Sequence, residues 1–103
     1  LKAMVCINLL HISPATCTEA LLQEACDRLP EDGLLIIYGP FCHNGCHTSA
    51  SNAAFDASLR QRDPRWGLRD LDWIDALLTQ RPMNIIERHA MPANNTTLVL
   101  KKS

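Results

Sequence analysis

Residues 4–41, MVCINLLHISPATCTEALLQEACDRLPEDGLLIIYGPF, contain two apolar runs separated by a segment with helical periodicity. The runs at 4–10 and 34–41 are nearly continuous apolar stretches, which is typical of strands buried on both faces of a parallel sheet. The segment between them begins with Ser13 and Pro14, which suit the N-cap and the first helical position. The order predicts a β-α-β unit with a right-handed crossover and two parallel strands.

Beyond this unit, the sequence predicts two helices and a pair of antiparallel strands. Residues 51–63 form one predicted helix, and residues 70–80 form another, with Asp70 as its cap. Residues 84–103 contain two strand-like runs around MPANN, which predict an antiparallel ribbon. The fold class is therefore α/β, with parallel strands and a terminal antiparallel β-ribbon. In such sheets, ligands bind at the carboxyl ends of the parallel strands.

The composition argues against a nucleic-acid or membrane protein. The 103 residues include ten basic and eleven acidic side chains, and no basic tail offers a footprint for nucleic acid. The sequence contains neither an apolar span nor a signal peptide, so we expect a cytoplasmic protein with no membrane partner. The chain opens with LKAMVCINLL, without an initiator methionine and already inside an apolar strand-like run. We interpret residues 1–103 as a single partial domain.

The stretch FCHNGCH, residues 41–47, brings two cysteines and two histidines together in the sequence. Thiolate and imidazole are ligands that Zn²⁺ prefers, but structural zinc sites use two separated ligand pairs, and no second pair occurs. The C-x₃-C spacing is not that of a C-x-x-C redox pair, and Asn44-Gly45 is typical of a turn. We therefore assign no metal and interpret the stretch as a loop.

Polar side chains follow the first predicted strand. His11 comes directly after it, where an imidazole is suited to orienting a ligand or accepting a proton. A loop histidine that makes structural hydrogen bonds is an equally good interpretation. Asn8 lies at the end of the apolar run, where its amide needs hydrogen-bond partners. The two residues are candidates because of their position at the carboxyl end of a strand.

A second polar region lies on and after the helix predicted at 51–63. Asn52, Asp56 and Arg60 follow one another at i,i+4 steps, and the acid of the last pair has the favourable N-terminal position. Such a stripe is more often a solvated face than a site. The arginine–carboxylate cluster around Trp66 is equally well explained as a structural network.

Four stretches resemble, in order and spacing, one known family. INLLHIS, GLLIIYGPF, HTSASNAAFDASLRQRDPRWGLRD and MPANN are similar to the methyltransferase-like 26 family. That family was formerly a domain of unknown function and is assigned to the class I S-adenosylmethionine-dependent methyltransferases. The resemblance covers essentially the whole chain. It keeps Gly45 and His47 in the Cys/His loop, whereas Cys42, His43 and Cys46 fall on variable positions.

The resemblance implies the C-terminal half of a Rossmann-like class I methyltransferase fold, in which the last strand is antiparallel beside the fifth. On that map, residues 4–10 correspond to the fourth strand, residues 33–39 to the fifth, and the ribbon to the sixth and seventh. The implied cofactor is S-adenosylmethionine. The glycine-rich loop and the acidic residue that hold it are expected upstream, and no G-x-G-x-G occurs in this sequence.

The resemblance also implies roles for individual residues. The residues expected to contact the cofactor are Asn8, Leu10 and His11, and those expected to handle protons are His11 and Asp56. The residues expected to shape the acceptor pocket are Tyr38, Gly39, Pro40, His47, Asn52, Arg60, Trp66, Arg69, Asp70, Asn94 and Asn95. The N/D-P-P-Y/F/W signature of amino-group methylation is absent, which removes one argument for a nitrogen acceptor.

Three functions remain open at this point. The first is a methyltransferase that acts on a small-molecule or protein acceptor, and the second is a non-catalytic fragment or binding module that keeps the fold. The third is a metal-binding module built on the Cys/His loop. An exposed apolar edge on the first strand would invite pairing, so we also expect homodimers that pair through this edge.

Overall fold

The computed structural model describes residues 2–43, 46–47, 49–92 and 95–103, and only the backbone of residues 43, 46 and 47. In chain order the elements are β1 (Ala3–Ile7), a 3₁₀ turn (Leu10–Ile12), α1 (Ala15–Arg28), β2 (Leu34–Gly39), β3 (Phe41–His43), β4 (Cys46–His47), α2 (Ala50–Arg62), β5 (Arg69–Asp70), α3 (Leu71–Leu78), β6 (Met83–Met91) and β7 (Asn95–Lys102). No helix in these ranges is long and apolar enough to cross a membrane.

The main sheet has four strands in the order β1-β2-β7-β6. β1 and β2 are parallel, and β7 is antiparallel to both β2 and β6. This arrangement confirms the predicted fold class, in which a parallel β-α-β unit is followed by an antiparallel ribbon. A smaller sheet, β4-β3-β5, continues from the end of β2 and pairs β3 with β5 in parallel.

The main core lies between one face of the four-stranded sheet and the helices α1 and α3. Its buried members include Leu35, Ile37, Leu98 and Leu100 from the sheet, Leu22, Ala25, Cys26 and Leu29 from the end and body of α1, and Leu71, Ile74 and Leu78 from α3. Burial of one such leucine or isoleucine contributes roughly 1.5–3 kcal/mol relative to exposure. A second, smaller core contains Cys42, Leu59 and Leu68, with Trp66 packed against it.

The prediction that the first strand is buried on both faces is wrong for this chain. Cys6 faces the main core, but Val5 and Ile7 on the other face are each 62% exposed. The cause is the one-sided layering, because α1 and α3 cover a single face of the sheet. Within the described residues, no strand pairs with the outer edge of β1.

The two predicted helix caps had different outcomes. Asp70 caps α3, and its Oδ1 accepts a hydrogen bond from the Asp72 N–H at 2.8 Å. Ser13 does not cap α1, which begins at Ala15. Its hydroxyl donates instead to the Leu9 carbonyl at 3.0 Å, so it closes the preceding 3₁₀ turn.

Candidate functional site

A cavity of about 430 Å³ opens where the parallel strands β1 and β2 end. Its lining residues are Asn8, His11, Pro40, Ser51, Asn52, Phe55 and Asn95. They come from the turn after β1, the residue after β2, the first turns of α2 and the start of β7. The volume lies within the range of roughly 300–1,000 Å³ that is usual for small-molecule sites. The position is the one where open α/β sheets bind ligands.

His11 is the titratable side chain among the lining residues. It is 6% exposed, and its ring lies 5.5 Å from that of Phe55 at a tilt of 59°. Burial and the nearby charge of Arg69 both lower the pKa of His11 from its ordinary value. The imidazole is therefore neutral at pH 7, which is the form that accepts a proton.

Asn8 sits in a left-handed backbone conformation, with φ at 53°. Asparagine tolerates this region better than most residues because its short amide can bond locally. The Asn8 N–H donates to the Tyr38 carbonyl at 2.8 Å, which ties the turn after β1 to the end of β2. Gly39 lies beside both cavity residues, since a Cβ built there would be 3.7 Å from the Asn8 Oδ1 and from the His11 Nδ1.

Asp56 is not one of the residues that line the cavity. Asp56 is 7% exposed, and its Oδ1 accepts hydrogen bonds from the Leu68 N–H at 2.8 Å and from the Arg60 Nε at 3.2 Å. The predicted Asp56–Arg60 pair therefore forms. These contacts connect α2 to the segment before β5, and they provide a structural reason for burying the charge.

The structure brings some of the predicted site residues together and separates others. Those that line the cavity are Asn8, His11, Pro40, Asn52 and Asn95, with Gly39 alongside and Tyr38 bonded to Asn8. Those placed elsewhere are Leu10 in the main core, Trp66 on the second core, Asp56 paired with Arg60, Asp70 as the cap of α3 and Arg69 on the backbone of the turn after β1. The side chain of His47 and the whole of Asn94 lie outside the described residues. The functional roles of all of these residues stay predictions.

Sequence reasoning missed two of the lining residues. Ser51 and Phe55 lie on α2 and line the cavity with Asn52, which is one position after Ser51 and three positions before Phe55. Phe55 is 41% exposed although Leu59, one turn later, is buried. For Phe55, the helical spacing of three positions from Asn52 was the available signal, but an aromatic residue at that spacing usually belongs to the core.

The metal-binding hypothesis gains no support from the described residues. No group of three or more His, Cys, Asp or Glu side chains among them is placed to hold a metal ion. Cys42 is 8% exposed and packs with Leu59 and Leu68 in the second core. The side chains of His43, Cys46 and His47 lie outside the described part of the chain.

Solved structures of low sequence identity share the fold. An O-methyltransferase family 2 protein from Planctomyces limnophilus DSM 3776, in complex with apigenin, matches with a TM-score of 0.86 at 16% identity. The mitomycin 7-O-methyltransferase MmcR matches with a TM-score of 0.83 at 14% identity. LepI in complex with SAM matches with a TM-score of 0.77 at 12% identity. At these identities the likeness establishes the fold, and it does not transfer an activity.

The matches cover 99% of this chain but only 30% of the first two proteins and 26% of LepI. The chain therefore spans less than a third of the length of the structures that it resembles. The sequence itself matches one protein family over residues 1–102. The chain thus belongs to the family described as "Protein of unknown function (DUF938)".

Proposed function

We propose that this chain is the C-terminal part of an S-adenosylmethionine-dependent methyltransferase, related to the methyltransferase-like 26 family. The observation that carries the proposal is the cavity at the ends of β1 and β2, where Asn8, His11, Asn52 and Asn95 converge. The shared fold of the O-methyltransferases and of LepI supports it. The acceptor that we propose is a small molecule with a hydroxyl group.

The chemistry of the lining residues fits one wall of a cofactor site. The side chains of Asn8, Asn52 and Asn95 are amides, a chemical type that suits the neutral polar groups of a nucleoside or an amino-acid ligand, and the Asn95 Nδ2 also donates to the Pro92 carbonyl at 3.4 Å. Asn8, in the turn after β1, would hold the cofactor at this edge. When bound, S-adenosylmethionine supplies an electrophilic methyl group. The acidic and glycine-rich contacts that the resemblance expects are not in this sequence, so this wall is one part of the site.

His11 is the residue to which we assign proton acceptance. A neutral imidazole removes the proton from a hydroxyl as the oxygen becomes a nucleophile, and its lowered pKa keeps it in that form at neutral pH. Its low exposure and the adjoining Phe55 ring limit the access of water. The side chain thus combines a proton acceptor with a partly desolvated, aromatic surface on which a flat acceptor can pack.

The first experiment is calorimetric titration of this chain with S-adenosylhomocysteine. Binding in the micromolar range, about −8 kcal/mol, is expected if the wall formed by Asn8 and the His11 turn contributes enough of the site. The matched variant is Asn8→Gly, because glycine keeps the positive φ while it removes the amide. Weaker binding by that variant would assign the contact to the amide. An unchanged affinity would contradict the assigned role of Asn8.

If this chain gives no heat of binding, the same titration is carried out with the longer protein that the proposal requires. Binding restored there would support the proposal and show that this chain alone is not the enzyme. No binding in either form would contradict it. That result would favour the non-catalytic binding module instead.

A second experiment separates His11 from Asp56 as the proton acceptor, with methyl transfer measured under single-turnover conditions in the cofactor-binding form. His11→Gln is expected to reduce the rate by about 10²–10⁴-fold, the usual contribution of a general base. Asp56→Asn keeps an oxygen that accepts from the Leu68 N–H, so a much smaller loss is expected. The opposite order of the two losses would assign the proton to Asp56.

A further inference from the structure

The short turn that carries His11 is held by a side chain from a distant part of the sequence. The guanidinium of Arg69 donates from Nε to the Leu10 carbonyl at 3.2 Å and from Nη2 to the Ser13 carbonyl at 2.7 Å. These partners lie 59 and 56 positions away in the chain. One planar group thus bridges both ends of the turn, on either side of His11.

A third contact reinforces this bridge. The Gly67 N–H donates to the carbonyl of His11 itself at 3.0 Å. Bonds within the turn include the Ile12 N–H to the Leu9 carbonyl at 3.1 Å and the Ser13 hydroxyl to the Leu9 carbonyl at 3.0 Å and to the Leu10 carbonyl at 3.4 Å. The Leu10 side chain anchors the turn in the main core, and Gly67 and Arg69 hold its backbone from the other segment. A 3₁₀ turn of this length has little stability of its own.

The segment that holds the turn is itself fixed on two sides. Arg69 pairs with Phe41 in the parallel β3–β5 ladder, directly after the cavity residue Pro40. Leu68 is 4% exposed, and its N–H is bonded to the Asp56 carboxylate on α2. Residues 65–70 therefore join three walls of the cavity: the His11 turn, the end of β2 and the helix α2.

We propose that Arg69 is the positioning residue of this site, which holds the His11 imidazole at the cavity. The inference rests on the proposed role of His11 as proton acceptor. On this proposal, Arg69 binds the backbone of the turn that carries His11. The family resemblance had implied instead that Arg69 lines the acceptor pocket. Burial is the main cause of the lowered pKa of His11, and the cation that binds the Leu10 and Ser13 carbonyls adds to it by repelling a positive charge on the ring.

The test is an NMR titration of the His11 ring protons, together with the cross-relaxation between the His11 and Phe55 rings. Arg69→Gln removes the charge and the bridging fork, so the pKa of His11 is expected to rise and the ring–ring signal to weaken. Arg69→Lys keeps the charge but not the planar fork. It is expected to keep the low pKa and to lose part of the ring–ring signal.

The matched control is Arg65→Gln, four residues earlier in the same segment. The Arg65 side chain pairs with Asp63 and is 69% exposed, and the Arg65 carbonyl that accepts from the Arg69 Nη2 at 2.8 Å is kept in the variant, so the substitution changes the net charge equally. The control is expected to leave both signals in place. If Arg69→Gln folds and moves neither signal, or if Arg65→Gln moves both as far, the proposal is wrong.

Two further observations keep the test independent of folding and of the proposed function. If Arg69→Gln does not fold, the lysine variant serves alone, and exchange of the Ile12 amide is expected to accelerate in it. Unchanged exchange would overturn the positioning role. The titration requires neither cofactor nor methyl transfer, so failure of both this chain and the longer protein to bind S-adenosylhomocysteine would contradict the proposed function and leave the Arg69 result separately measurable.

Discussion

Two individual residues with positive φ shape the surroundings of the cavity. Asn8 has φ at 53° where the chain leaves β1, and Gly67 has φ at 153° where the chain passes beneath His11. The space at Gly67 is also restricted, because a Cβ there would lie 2.6 Å from the Arg60 Nη2 and 2.8 Å from the Asp56 Oδ1. A side chain at this position would disturb both the Asp56 network and the contact to the His11 carbonyl.

Gly67→Ala is therefore expected to destabilise the chain by about 1–3 kcal/mol, the usual cost of an unfavourable backbone conformation. The measurement is urea unfolding monitored by circular dichroism. Gly39→Ala is the matched control, since its Cβ would make only ordinary contacts at 3.7 Å. We expect that variant to keep its stability or gain about 0.4–1 kcal/mol from the stiffer unfolded chain. Equal losses in the two variants would contradict the argument.

The lowered pKa of His11 has a defined consequence for stability. Because the folded-state pKa lies below the ordinary 6.5, the unfolded chain binds this proton more readily than the folded chain does. The contribution of His11 is fully present above pH 6.5 and is lost as the pH falls through the lower folded-state pKa. The excess stability of the native chain over His11→Gln is therefore expected to shrink between pH 7.5 and pH 5.5 in urea unfolding. A difference that does not change across this interval would show that His11 makes no such contribution.

At the scale of helices and strands, local signals in the sequence predicted the elements that local interactions determine. The apolar runs of β1 and β2, the helix α3 and its Asp70 cap follow from periodicity and capping chemistry. The three-residue β3 and the two-residue β4 and β5 went unpredicted, because strands this short have no periodic pattern.

Non-local pairing explains the other differences between the sequence analysis and the structure. The sequence pattern predicted an antiparallel ribbon at the end of the chain. The position of this ribbon in the main sheet, where β7 lies between β2 and β6, was implied only by the family resemblance. The position of Asn8 and His11 at the end of a predicted strand indicated part of the cavity lining. The contact of Arg69 with Leu10 spans 59 positions, and no spacing rule within the sequence could have found it.

Lys102 caps the C-terminal end of α1. The Lys102 ammonium, on β7, donates to the carbonyls of Cys26 and Leu29, the latter at 2.7 Å. A cation at this end also interacts favourably with the helix dipole. Lys102→Met keeps most of the apolar stem and is expected to lose about 0.5–2 kcal/mol of stability in thermal or urea unfolding.

The neighbouring lysine provides the control for this prediction. Lys101 pairs with Asp32 at 3.3 Å, but the two side chains are 44% and 74% exposed. Lys101→Met is therefore expected to cost about 0–1 kcal/mol. If it cost as much as Lys102→Met, the loss would reflect a general effect of charge or β-propensity rather than the cap.

At the scale of the whole molecule, the two edges of the main sheet differ in character. The β6 edge carries Glu87, Arg88 and His89, which are all exposed. The β1 edge, AMVCI, carries no charged side chain, and Val5 and Ile7 on its open face are among the most exposed large apolar residues. Charged side chains on an edge strand discourage pairing with another chain, and an uncharged apolar edge allows it.

We therefore expect this chain to self-associate through β1, with the fraction of associated species in sedimentation velocity rising with protein concentration. Val5→Lys places a charge on the exposed face of β1 and is expected to shift the chain toward monomer, because pairing would bring two such lysines close together. Ile86→Lys is the matched control, since Ile86 is 48% exposed on the opposite edge strand. A native chain that stays monomeric at every concentration would rule out pairing at β1. If the two lysine variants dissociate equally, the association involves exposed apolar surface in general. If only Val5→Lys loses the associated species, the uncharged strand β1 is the edge that pairs with a second chain.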